Sequence, residues 1–151
     1  DYEMPAETNA EAHFLGQYIP WDSHENARIA MVWNLEAELP TPANWWPWEN
    51  LDNAQTGLHD YMMWRKYGYG RGCAQMGVDV RMGRVKRTVG MDWVNAHDGI
   101  FPQNYAGVSF EDMIGRIGME RETAMTLIDR FTNWDLFERP DRPSEEPALK
   151  C

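Results

Sequence analysis

Cysteine is scarce in this chain: Cys73 and Cys151 are the only two among 151 residues. Two thiols do not make a disulfide framework, so both are expected to be free, in a cytoplasmic protein. Long apolar runs are missing as well. No stretch of 18 apolar residues occurs and the mean hydropathy is −0.64, which excludes a membrane-spanning helix. The opening residues are polar and acidic, without signal-peptide character. An initiator Met is also lacking, so the chain is expected to be a fragment or a trimmed or processed product. HExxH and CxxC patterns are absent, and His13, His24, His59 and His97 show no ligand spacing, so no metal is expected. Basic residues are outnumbered 14 to 24, and the net charge of −10 argues against nucleic-acid binding.

The basic residues that are present cluster. Seven of the 14 lie in residues 65–87: Arg65, Lys66, Arg71, Arg81, Arg84, Lys86 and Arg87. Asp79 is the one carboxylate among them, so this window carries +6 and the remainder −16. A local basic island in an acidic chain suits a specific anion such as phosphate or carboxylate. It equally suits a basic face that docks onto an acidic neighbour.

The periodicity predicts a mainly α fold: a helical domain of several short helices with long connections. Residues 1–12 read as a flexible arm, 13–138 as the domain and 139–151 as a flexible tail with three prolines. Residues 13–21 suggest a short strand or extended lead-in. Asp22 or Ser23 caps a helix reaching about Asn34. Residues 38–52 form a loop rich in proline, holding Trp45, Trp46 and Trp48. These indoles either pin the loop to the core or form an exposed sugar-binding cluster. Helices follow over 53–67, stopped by Gly68, over 71–82, stopped by Gly83, and over 84–96. Ser109 caps another, with Asp112 in the capping-box position. The last helix covers 120–131.

Between the second and third of these helices, Gly68, Gly70 and Gly72 allow left-handed backbone or close approach of a ligand. The helix that begins near Arg71 offers free N–H groups to an anion. Arg71, Arg81 and Arg84 add planar forks suited to phosphate or carboxylate. Asp79 either steadies an arginine or meets a sugar hydroxyl. Gly68, Gly70, Arg71, Asp79, Arg81 and Arg84 are therefore the candidate phosphate- and substrate-binding residues. The alternative is a tight interhelical turn with salt-bridged arginines. His59, Asp60 and Asp22 are second-rank candidates for acid, base or substrate-orienting roles. His59 and Asp60 are neighbours about 100° apart on a helix, so they are not expected to pair.

The string NLDNAQTGLHDYMMWRKYGYGRGCAQMGVDVRMGRVKR, residues 50–87, resembles the C-terminal block of the N-acetyl sugar amidotransferase family, relatives of the pyrophosphatase-loop ATPases. YIPWDSHENARIA, VSFEDMIGRIGMERE and DRFTNWDLFE resemble further family segments in the same order. The resemblance implies a helical domain normally appended to an α/β ATPase domain. It also implies an ATP- and Mg-dependent reaction that converts the acetamido group of a nucleotide-linked sugar to an acetamidino group with ammonia, in lipopolysaccharide O-antigen biosynthesis. Partners implied are an N-terminal ATPase portion, a glutaminase and a barrel-type subunit that delivers ammonia. One departure from the family is decisive. The activating Ser-Gly-Gly-x-Asp-Ser loop is nowhere in the sequence. The isolated chain is therefore expected to be inactive as an amidotransferase and to bind no ATP or Mg alone. A non-catalytic assembly module is the competing expectation.

Overall fold

The computed structural model describes residues 11–37, 42–140 and 147–150. Most of the expected arm, Pro40 of the Trp loop, part of the expected tail and Cys151 lie outside the described residues. The chain divides into two compact units, residues 1–36 and 37–151.

In the first unit a 3-10 turn, Leu15–Gln17, stands where a short strand or an extended lead-in was expected, with Tyr18 and Ile19 N–H groups both donating to the Leu15 carbonyl. Helix α1, Ser23–Val32, follows. Asp22 caps it: its carboxylate accepts from the His24 N–H at 2.9 Å, satisfying a donor that a helix start leaves without an intrahelical partner.

The second unit holds five helices and one hairpin among its described residues. Helix α2 spans Thr56–Tyr67. It starts three residues later than the periodicity suggested. Asn53 closes its own turn by accepting from the Gln55 N–H at 2.8 Å, so its side chain competes with the helix it was expected to open. Gly68 ends the helix in the left-handed region, φ +78°. Helix α3, Arg71–Arg81, and helix α4, Arg87–His97, pack against each other. Gly90 makes that possible, because a Cβ there would stand 2.9 Å from Met76 Cγ.

A two-residue hairpin, β1 (Asn104–Tyr105) and β2 (Val108–Ser109), has no counterpart among the elements expected from the sequence. Its register pairs Tyr105 with Val108 across Ala106 and Gly107, both at positive φ (48° and 76°). A two-residue hairpin turn of type I′ demands left-handed geometry at both central positions. Ala106 is an uncommon residue there, which hid the turn. Ser109 then caps α5, Phe110–Gly115, accepting from the Asp112 N–H at 3.0 Å. Helix α6, Arg121–Phe131, completes the set.

Tyr61 and Trp64 of α2, Phe110 and Ile114 of α5, Ala124 and Ile128 of α6, and Phe137 form the core. Full burial of a ring such as Phe110 (1% exposed) contributes about 1.5–3 kcal/mol. Leu149 within the expected tail makes a bridge to Phe137, and the Lys150 N–H donates to the Leu136 carbonyl at 2.8 Å.

Candidate functional site

The basic island does not form one surface. Arg65 is 4% exposed and serves the core. It donates to Thr132 Oγ1 (2.8 Å), the Tyr61 hydroxyl (2.9 Å) and Asp129 Oδ1 (3.1 Å), tying α2 to α6. The Lys66 ammonium lies 5.3 Å from the Tyr67 ring centroid. The rest separates into two groups at opposite ends of α3. Ten residues of helical rise put Arg71 and Arg81 about 15 Å apart along the axis, too far to clasp one phosphate.

At the N-terminal end of α3 lies a pocket of about 20 Å³. That is room for about one water-sized group. Asp60, Tyr61, Gly70, Arg71 and Asp98 are among its lining residues. Arg71 grips Asp60 with both arms of its fork, Nε to Oδ2 at 2.6 Å and Nη2 to Oδ1 at 2.9 Å. This contact is the first cause of an Arg71 pKa raised above its ordinary value, so the guanidinium stays charged. His59 Nδ1 lies 3.0 Å from Asp60 Oδ1. The two neighbours do meet, contrary to the expectation from helical geometry. Their Cα–Cβ bonds diverge, but rotation about the imidazole's own torsions brings Nδ1 back over a carboxylate that Arg71 holds still. His59 remains largely exposed.

The backbone donors at the start of α3 are occupied by the chain itself. Asp98 Oδ2 accepts from the Gly70 N–H at 2.8 Å and the Cys73 N–H at 3.2 Å. The anion expected at this helix start is thus supplied by a carboxylate just beyond the end of α4. Gly70 is in ordinary extended geometry; its lack of a side chain serves close approach, since a Cβ would sit 3.0 Å from Asp98 Cγ. Asp98 Oδ1 is buried and makes no hydrogen bond among the described residues. Burial pushes the Asp98 carboxyl above its usual pKa, against the opposing pull of the backbone N–H groups. The folded state then holds this proton more tightly than the unfolded chain does. Its stabilising effect is full below pH 3.8 and fades as pH rises through the elevated value. Asp98→Asn should flatten that component. Urea unfolding at pH 4 and pH 7 should show wild type gaining on the variant at the lower pH; parallel profiles would refute this.

At the other end of α3, Asp79 is 1% exposed. Its Oδ2 accepts the indole N–H of Trp45 (2.7 Å) and of Trp46 (3.0 Å), and its Oδ1 accepts from Arg84 Nη1 at 3.1 Å. One turn earlier, Gln75 Oε1 accepts the backbone N–H groups of Trp45 and Trp46 at 2.7 and 3.1 Å. Gln75 Nε2 donates to Glu49 Oε2 at 2.9 Å. The four-residue spacing places Gln75 and Asp79 on one helix face, and together they fasten the Trp loop to α3. Trp46 and Trp48 stack at 6.0 Å, while the Trp45 ring meets Trp93 edge-on. The indole N–H groups of Trp45 and Trp46 are directed at Asp79, so two of the three face the protein and not a sugar.

Asp60, Gly70 and Arg71 are thus brought together. Asp79 and Arg84 form a separate pair, with Arg81 exposed nearby in sequence. Gly68 caps α2, and a Cβ on it would meet Leu149 Cδ2 at 3.3 Å. Asp22 belongs to the first unit. Sequence reasoning missed Asp98 and Gln75. Asp98 carries no local sign of its role, because its partners lie 25 and 28 residues earlier. Gln75 had one: a polar residue four before Asp79, on the same stripe as Gly72 and Met76.

The sequence matches the family described as LPS biosynthesis protein WbpG-like, C-terminal domain, over residues 41–146. That span takes in every candidate site residue except Asp22. No match was found among curated proteins.

Proposed function

Because the chain belongs to the WbpG-like C-terminal domain family of LPS biosynthesis proteins, we propose that it is the C-terminal part of an ATP-dependent N-acetyl sugar amidotransferase. In this reading an acetamido sugar, carried on a nucleotide, becomes an acetamidino sugar with ammonia as nitrogen donor. The protein works in the cytoplasm with an N-terminal ATPase portion, a glutaminase and a barrel-type ammonia-delivering subunit. The observation that carries the reading is the pocket at the start of α3. There Asp60, Gly70 and Arg71, all within the segment that resembles these enzymes, converge with Asp98.

The pocket admits one small polar group, not a nucleotide. Its carboxylates accept hydrogen bonds from N–H or O–H, the donors an acetamido sugar or an incoming amine presents. His59 is the candidate base: with Nδ1 on Asp60, the proton is fixed on that nitrogen and Nε2 is left as the acceptor. Taking a proton from the attacking nitrogen is general-base work, and Asp60 holds the required tautomer.

The described residues offer no set of groups that fits ATP and Mg. Among the described residues no group of three His, Cys, Asp or Glu is placed to hold a metal ion, and the activating loop is absent from the sequence. Activation of the amide oxygen is therefore assigned to the ATPase portion.

Mixing the chain with that portion should restore ATP hydrolysis that requires both acetamido sugar and ammonia. His59→Ala should then lower kcat about a hundredfold, the lower end of what a positioned base supplies. Confirmed association of the two pieces without restored turnover would overturn the proposal.

A further inference from the structure

Asp98 lines the pocket at the start of α3, and its Oδ1 is buried with no hydrogen bond among the described residues. A buried carboxylate oxygen is nearly always paired, because an unpaired one forfeits its hydration. This one is held where it stands. Its sister oxygen Oδ2 is fixed by the Gly70 and Cys73 N–H groups at 2.8 and 3.2 Å, and the Gly72 N–H adds a weaker pull on the carboxylate. The next residue, Gly99 (φ +84°), lies so close under the Trp64 indole that a Cβ would stand 2.4 Å from Cε2. Gly70 keeps space beside the orphaned atom, since the Cβ it lacks would stand 3.1 Å from Asp98 Oδ1.

The pocket is also short of positive charge. Arg71 is the one cation among its lining residues, and both bonds of its fork go to Asp60. His59 likewise meets Asp60 and not Asp98. Two carboxylates therefore face one guanidinium. Burial chiefly, and the Asp60 charge among lesser causes, raise the Asp98 pKa. A small cation would answer both the orphaned oxygen and the uncompensated charge.

Size and acceptor number narrow the choice. The space admits one water-sized group. Water brings donors but no charge. A metal ion such as magnesium or calcium asks for about six or more oxygens, and no group of three His, Cys, Asp or Glu among the described residues is placed to hold one. An ammonium ion has the size of water, a full positive charge and tetrahedral N–H donors. A few fixed oxygens suffice for it, and charge-assisted hydrogen bonds are the strong ones.

We infer that this pocket is a binding site for an ammonium ion, held by Asp98 Oδ1 with the Asp60 carboxylate as the second negative wall. The inference deepens the amidotransferase reading and rests on it only for the ion's role as nitrogen donor. Asp98 becomes the residue that receives the nitrogen, and Arg71 is the positioning residue that keeps Asp60 in place.

NMR of the whole nitrogen-labelled chain at pH 7 tests this without turnover. Ammonium chloride is exchanged for tetramethylammonium chloride at constant ionic strength. The Gly70 and Cys73 amide signals should move together along one saturating curve, with half-saturation at roughly 10–100 mM, about as tight as a ligand of one heavy atom binds. Tetramethylammonium is too large for the space, and potassium chloride, a cation without N–H donors, should give no such curve. Asp98→Asn removes the charge and keeps a side-chain oxygen for the backbone N–H groups; it should weaken binding at least tenfold. Asp60→Asn should weaken it as well, which keeps the test open if the first variant folds poorly. No saturation in the wild type would overturn the inference and leave the pocket to a water molecule. An equal response to potassium would overturn it too, as would affinity unchanged in both variants. If ammonium binds as expected but the reconstituted protein has no sugar-dependent ATP hydrolysis, the amidotransferase reading fails and the ammonium site stands. If that hydrolysis is restored while ammonium does not bind, the inference alone fails.

Discussion

Asp79→Ala should lower the unfolding free energy by about 3–5 kcal/mol, the cost of breaking a buried charge pair by removing one partner. The figure can be built from the contacts. Trp45 and Trp46 each lose the acceptor of an indole N–H, and Trp46 is 5% exposed. An orphaned buried donor costs about 1–3 kcal/mol. Arg84 loses its ion pair, but its side chain is 28% exposed, so water screens much of that loss. The greater part of the effect therefore comes from the indoles. Asp79→Asn keeps a carbonyl acceptor and should cost distinctly less than Asp79→Ala. Urea unfolding followed by Trp emission would read both. A loss below about 1 kcal/mol for Asp79→Ala would show that the Trp loop is held by something else, Gln75 being the first suspect. With a typical domain stability of about 5–15 kcal/mol, the alanine variant sits near the edge of folding.

Gly72→Ala should cost about 3 kcal/mol and disable the pocket. A Cβ at this position would stand 2.5 Å from Trp93 Cζ3, 2.7 Å from Asp98 Oδ1 and 2.9 Å from the Ala43 backbone oxygen. Neighbours on two segments, α4 with its C-cap and the Trp loop, cannot all retreat, and one of them is main chain. Overpacking of this kind costs roughly 1–3 kcal/mol. Displacing Asp98 adds the loss of a helix cap, about 1 kcal/mol. The same shift pulls Asp98 off the Gly70 and Cys73 N–H groups and reshapes the space beside Arg71. Gly115→Ala is the contrast. It sits on α5 with open space around its Cβ, and alanine's better helix propensity should leave stability level or up by as much as about 1 kcal/mol. Equal thermal midpoints for the two variants would refute this account of Gly72.

Both predictions concern residues whose type was visible in the sequence but whose partners were not. From the sequence, Gly72 is one of three glycines suited to close approach. The structure shows what approaches: Trp93, Asp98 and the Trp-loop backbone, none within twenty residues. From the sequence, Asp79 either steadies an arginine or meets a sugar hydroxyl. It does hold Arg84, while its two indole bonds reach 33 and 34 residues back along the chain. His59 and Asp60 meet although their Cβ atoms point about 100° apart on the helix. Cβ direction is not decisive there, because the reach of the side chains closes the gap.

What the sequence determined by itself is the row of helices and where they stop. Gly68, Gly83 and Ser109 mark their positions through chemistry that acts within one turn: left-handed backbone and a hydroxyl that accepts an N–H. Such signals are local, so a linear string contains them whole. Only the tertiary structure decided the fate of the basic island. Arg65 went to Asp129 across 64 residues, Arg71 to Asp60 across 11, and Arg84 to Asp79 across 5. The same packing gave the start of α3 to Asp98. An ion pair is chosen by whichever carboxylate the packed helices bring within about 4 Å, and neither hydrophobic period nor capping pattern records that choice.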